Sequence, residues 1–198
     1  MVTKRKEDLY GSAPDKSKTA LLIIDMIQDF SFQDGEQLFK QALPISENIN
    51  KLKATAEARA IPIIYVNDNF DKWKSNFHIL LNHALESEKG NLIAHSLKPD
   101  EKDYFVLKPK HSGFFSSSLD ILLQYLEVEN LILSGLTTDI CILFTANDGY
   151  MRDFNIIVPS NCCTAVYKND HENALMLMQR VLKAETKPWE ELDFDELI

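Results

Sequence analysis

The sequence predicts an α/β fold, a three-layer α/β/α domain around a mostly parallel central sheet. Three observations carry this. Five short apolar runs recur along the chain, at residues 20–24, 61–66, 104–107, 131–133 and 156–158. Such runs suit strands buried on both faces, as parallel strands are. Helical spacing fills the stretches between them, and strand alternating with helix implies crossover units. Finally, 198 residues with 45% hydrophobic and 26% charged content can bury about 70% of their unfolded surface without a disulfide or metal staple.

Taken in order, residues 1–18 are polar and lysine-rich, with Gly11 and Pro14, and read as an N-terminal arm. Residues 19–198 then form a single domain. The first strand, 20–24, ends at Asp25. A helix over 46–60 places Ile49, Leu52 and Ala56 on one face. The second strand, 61–66, runs into Asn67 and Asp68. Residues 67–102 are the least regular stretch and read as an insertion over the active site. The third strand, 104–107, leads into Lys108. Residues 116–126 spell a helix that groups Leu119, Leu122, Leu123 and Leu126, opened by Ser116, Ser117 and Ser118, since serine caps helices. The fourth strand leads through Gly135 to Cys141, which opens a helical pattern over 141–152. After the fifth strand come Cys162 and Cys163, read as buried thiols. The last helix spans 169–183, where Asn169 and Glu172 have the spacing of a capping box. The acidic tail from Lys187 carries Trp189 and Phe194, to be packed on the domain or on a second subunit.

Several function classes are excluded. A net charge of −9 lacks the basic stripe a nucleic-acid binder needs to neutralise phosphates. No run approaches the roughly 18 apolar residues of a membrane span, and the first residues lack the apolar core of a signal peptide. Three cysteines, two of them adjacent, fit a reducing compartment, so the expected location is the cytoplasm. No GxGxxG, P-loop, GxSxG or HExxH pattern occurs.

In open α/β sheets, ligands bind beyond the carboxyl ends of the strands. The residues there are Asp25, Asn67 with Asp68, Lys108, and the stretch from Gly135 to Cys141. A base, a cation and a thiol thus converge on one edge. The thiolate is the nucleophilic form of cysteine. Three devices favour it: the start of a helix at Cys141, the charge of Lys108, and Asp25 as proton acceptor. Plainer readings exist for each: a small buried hydrophobe, a surface lysine, a cap. Phe30, Trp73 and Phe114 are candidates to line an apolar substrate pocket. Asp29 is expected to bond within the first loop, and Thr138 with Asp139 to hold the Cys141 turn. Thr145 and Asp148 read as packing and surface, His111 as an exposed loop residue, and His171 as a helix cap.

Three blocks carry a family resemblance. LLIIDMIQDF around Asp25, VLKPKHSGFF around Lys108 and SGLTTDICILFTANDG around Cys141 resemble, in the same order, the blocks of isochorismatase-like and nicotinamidase-like hydrolases. The likeness runs from Thr19 to about Leu182. It implies the isochorismatase-like hydrolase fold and a mechanism in which Asp25 takes the proton of Cys141, the thiolate attacks a carbonyl-type carbon, and Lys108 stabilises the charged pair. It further implies a non-proline cis peptide at Leu136–Thr137 and an oxyanion hole formed by the N–H groups of Thr137 and Cys141. Members that cleave isochorismate lack the cysteine, so Cys141 implies hydrolysis of an amide, imide or carbamoyl C–N bond in a small-molecule substrate. Nicotinamidases carry an Asp-x-His metal motif after the second strand. The matching VNDNFDKW has Asp68 but Phe70 in place of the histidine, and His78 and His83 stand too far along to restore it. No metal and no cofactor are therefore expected. A homo-oligomer, dimer or tetramer, is implied. The alternatives are a catalytically silent member that senses oxidants through Cys141 or binds a ligand, and a scaffold subunit.

Overall fold

The structure is a computed structural model that describes residues 16–70, 74 and 76–198. Trp73 and residues 1–15 of the N-terminal arm lie outside the described residues. The fold is an α/β domain. Six parallel strands, β1 (Thr19–Ile24), β2 (Ile63–Asp68), β3 (Tyr104–Lys108), β4 (Asn130–Leu136), β5 (Asn155–Ile157) and β6 (Cys163–Thr164), form one sheet in the order β3-β2-β1-β4-β5, with β6 also pairing β4. The chain works outward from β1 through β2 to β3, then returns to lay β4 on the other side of β1. This reversal opens a crevice between β1 and β4, at their carboxyl ends.

Alternation along β1 explains both helical layers. Leu21 and Ile23 face one core cluster, while Ala20, Leu22 and Ile24 face the other. Every β1 side chain is fully buried. Each such Leu or Ile contributes about 1.5–3 kcal/mol of transfer free energy. The first cluster packs α1 (Gly35–Glu57), α2 (Phe77–Glu86) and α3 (Gly90–Ser96) against the sheet. The second packs α4 (Leu119–Leu126), α5 (Leu143–Tyr150) and α6 (Lys168–Val181). A short α7 (Phe194–Leu197) ends the chain. Phe194 and Leu192 join the first cluster, and the Arg59 guanidinium lies 5.1 Å from the Phe194 ring. The aromatic tail is thus used within this chain.

Several boundaries differ from the sequence expectations. α1 begins eleven residues earlier than expected and carries Pro44 within it. Proline usually marks a break, but burial of Leu38 and Ala42 sustains the helix through it. A Cβ on Gly35 would meet the Phe30 carbonyl oxygen at 2.1 Å, so the helix enters where only glycine fits. The stretch expected to be irregular contains α2 and α3. Asn76 caps α2, its side chain accepting from the Ile79 N–H at 3.1 Å. α4 begins at Leu119, and among the three serines it is Ser117 whose hydroxyl accepts from the Leu119 N–H, at 3.1 Å. α6 starts one residue before Asn169, so Asn169 lies inside the helix and the capping box does not form. The N-cap position is Tyr167, without a side-chain bond. Among the described residues no helix is long and apolar enough to cross a membrane.

Candidate active site

Gly135 determines how β4 meets β1. Its φ is +111°, and a Cβ there would lie 2.0 Å from the Ile24 carbonyl oxygen. The two strands therefore close up at the head of the crevice, which only glycine allows. Beyond Gly135 the peptide bond Leu136–Thr137 is cis. The chain then winds one π-helical turn, Thr138–Ile142, before α5 begins. The helical segment thus begins three residues before Cys141, which sits inside this wider turn and does not open the helix. Such turns recur at functional sites. Thr138 is fully buried, and its hydroxyl pairs with His171 Nδ1 at 2.8 Å. His171 thus holds the Cys141 turn from α6 rather than capping its own helix. Asp139 Oδ1 has no partner, so the local side-chain bond expected of it is absent.

Asp25 stands one residue past β1 with φ 52°. Its N–H donates to the Val66 carbonyl at 3.0 Å, and its Oδ1 accepts from the Asp68 N–H at 2.7 Å. Lys108 ends β3, two strands away, and its side chain is fully buried. Its ammonium reaches Asp25 Oδ2 at 2.9 Å, the Lys110 carbonyl at 3.2 Å, Asp68 Oδ2 at 3.4 Å and Cys141 Sγ at 3.4 Å. Lys108 thus touches both the expected base and the expected thiol, and Asp25 and Cys141 influence each other's ionisation beside it.

The electrostatics assign each group a state. Burial raises the pKa of Asp25, and the opposing pull of Lys108 and the bond to Cys141 does not cancel it. Burial also raises the Cys141 pKa, and the neighbouring Asp25 charge adds to that against the relief from Lys108. Burial alone would lower the Lys108 pKa, but Asp25, Cys141 and Asp68 outweigh it, so the group is held as an ammonium. Burial and the Asp25 charge thus push Cys141 toward the thiol, against the thiolate that helix position and lysine suggest. Its carboxylate neighbour is itself proton-hungry. The two groups lie beside a fixed positive charge, and their titration belongs to the pair.

Other expected residues fall elsewhere. Phe30 is 2% exposed and packs edge-on to Phe39, at 5.5 Å between centroids. Phe114 is 4% exposed, stacked on Phe154 at 5.9 Å and covered by Arg152 at 4.7 Å. Both are core residues rather than pocket walls, because each ring is almost wholly buried among core side chains. Trp73 lies outside the described residues. Asp29 accepts from the Ser31 N–H at 2.9 Å and also pairs with His83 Nε2 at 2.7 Å. Thr145 is buried, and its hydroxyl accepts from the Gly113 N–H at 2.9 Å. His111 is exposed, its ring 5.6 Å from Phe144. Asn67 is buried and ties the first loop through the Ile27 carbonyl at 2.7 Å. A cleft of about 180 Å³ opens between Ile27, Phe32, Phe70 and Leu80. It borders the loop after Asp25, to which Gln28 is tied through the Asp25 carbonyl at 2.6 Å. Composition and spacing gave no signal for this cleft, since its walls come from two distant segments.

Among the described residues, the stretch after β2 does not fit a metal. Phe70 offers no ligand atom, and Asp68 gives its Oδ2 to the Lys108 ammonium. Among the described residues, Glu57, Asp100 and Asp103 are the acidic groups that converge as a metal site would require. The Lys53 ammonium already sits against all three, at 3.8, 3.5 and 2.7 Å. That cluster is an ion-pair network beneath the sheet's other end.

Residues 19–187 match the model of the isochorismatase domain. The chain is 38% identical over 177 residues to the uncharacterized isochorismatase family protein YaaI of Bacillus subtilis, covering 89% of this chain and 97% of that one. It is 26% identical to the ureidoacrylate amidohydrolase RutB of Acinetobacter baylyi, over 82% of this chain and 76% of that one. Its fold matches the crystal structure of N-carbamoylsarcosine amidase from Thermoplasma acidophilum with a TM-score of 0.69 and 26% identity, covering 89% of this chain and 99% of that one.

Proposed function

This chain belongs to the isochorismatase family, and on that premise we propose that it is a cysteine hydrolase of a small-molecule amide, imide or carbamoyl C–N bond. The observation that carries the reading is the buried Lys108 ammonium, 2.9 Å from a carboxylate oxygen and 3.4 Å from a cysteine sulfur. Structural lysines seldom contact both a base and a nucleophile, and paired groups with displaced pKa values cluster at functional sites. Likeness to two proteins named for amide hydrolysis supports the bond type.

The groups act in sequence. Asp25 takes the Cys141 proton as sulfur attacks the carbonyl carbon. Lys108 stays charged and offsets the negative charge as it moves from carboxylate to sulfur. The N–H groups of Thr137 and Cys141 are the donors to the carbonyl oxygen as it becomes negative. Collapse expels the amine, which takes the proton from Asp25, and leaves the acyl group on Cys141 as a thioester. Water, deprotonated by Asp25, then releases the acid and restores the thiol. A resting thiol suits this cycle, since a displaced proton needs a nearby acceptor with raised affinity.

The test is a panel of small amides, imides and carbamoyl compounds assayed for ammonia or amine release, with mass spectrometry for an acyl adduct on Cys141. Turnover by the wild type, lost in Cys141→Ala with the fold retained by circular dichroism, is the expected result. Turnover that survives in Cys141→Ala overturns the mechanism. The family likeness also makes a dimer or tetramer part of the proposal, checked by light scattering.

A further inference from the structure

Lys108 has one more partner than the hydrolytic cycle uses. Asp68 Oδ2 lies 3.4 Å from Nζ. The Asp68 N–H donates to Asp25 Oδ1 at 2.7 Å, while Asp68 Oδ1 accepts from the Phe70 N–H at 2.7 Å, leaving Oδ2 for the ammonium. Its side chain is 26% exposed, against 9% for Asp25 and 0% for Lys108. It is therefore the most exposed ionic group of the set.

The charges do not balance. With one proton shared between them, Asp25 and Cys141 carry one negative charge. Lys108 carries one positive charge, and Asp68 one negative. The reacting cluster is left with a net negative charge whose most exposed member is Asp68. Partly buried charges are weakly screened, so this acts on anything docking at the sulfur. The cleft adds no lone cation among the described residues, since its His83 is paired with Asp29. We infer that Asp68 sets the charge class of the substrate: the site takes a neutral or cationic carbonyl compound and turns away one with an anionic group beside the scissile bond. The inference rests on Cys141 being the nucleophile that meets the substrate.

Charged thiol reagents test this without knowledge of the substrate. Two methanethiosulfonates of similar size, one ending in trimethylammonium and one in sulfonate, each transfer their thioalkyl group to Sγ and release methanesulfinate. Rates at Cys141 are followed by mass spectrometry on the full chain and divided by rates on mercaptoethanol. The wild type is expected to favour the cation by about tenfold. Asp68→Asn should remove most of that preference, and Asp68→Glu, which restores the charge, should recover it. A wild-type ratio near one, an unchanged ratio in Asp68→Asn, or a Glu variant as indifferent as the Asn variant overturns the inference while Cys141 remains a reactive thiol. If neither reagent modifies Cys141 in the folded protein, the nucleophile reading fails and this inference fails with it.

Discussion

Lys108 Nζ reaches across a whole strand to lie 2.9 Å from Asp25 Oδ2. β3 and β1 are separated by β2, a spacing of roughly 10 Å. Only a long, fully extended cation spans it, and the buried lysine arrives with its charge matched by carboxylates. The relationship between these two residues fixes how the site responds to substitution.

Asp25→Asn separates thiol acidity from turnover. The Asp25 charge is one of the causes that raise the Cys141 pKa. Its removal leaves the thiol beside Lys108 alone, so the thiolate fraction at neutral pH should rise. Iodoacetamide should modify Cys141 several-fold faster in Asp25→Asn, while amide turnover falls by at least about 10³-fold for want of a base. Slower alkylation would show that Asp25 does not hold the proton on sulfur.

Lys108→Met should act in the opposite direction on the thiol. Without the ammonium the Cys141 pKa rises further, and alkylation should slow by more than about tenfold. Asp25 and Asp68 also lose the cation between them. Breaking a buried pair costs about 3–5 kcal/mol; since Asp68 is 26% exposed, the lower end is expected. A urea titration measures it.

Gly135→Ala should fail structurally. The added Cβ would stand 2.0 Å from a backbone oxygen that cannot move without parting β1 from β4, at a φ of +111°. A loss of about 3–4 kcal/mol or more is expected, with no soluble protein as the extreme outcome. A thermal melt near that of the wild type would contradict the close approach.

His171 makes stability depend on pH. Burial lowers its folded pKa below the ordinary histidine value of 6.5. Below about pH 6.5 the unfolded chain therefore binds a proton that the folded chain refuses, and stability should fall as pH drops from 6.5 toward the folded value. The charges facing the ring, Glu172, Asp139 and Lys168, modify the extent and not the sign. Urea midpoints at pH 7.5 and 5.5 should differ more in the wild type than in His171→Gln, which keeps a polar group toward Thr138.

The sequence by itself determined five of the six strands, because burial on both faces demands unbroken apolar runs such as residues 20–24, while the two-residue β6 is too short to leave one. It also determined the chemical edge, because residues just past parallel strands share one end of the sheet. Asp25, Lys108 and Cys141 were legible for that reason, and the three blocks around them for their order. Periodicity did not reveal that α1 runs through Pro44, since a proline's cost is local and the burial that offsets it is not. It placed Phe30 and Phe114 no better than by type, because core and pocket aromatics look alike until their burial is known. The tertiary structure alone decided the protonation of the site. Whether Cys141 rests as thiol or thiolate depends on the distances from sulfur to Asp25 and Lys108 and on the water excluded between them, and charge, unlike hydrophobic pattern, acts through space rather than along the chain.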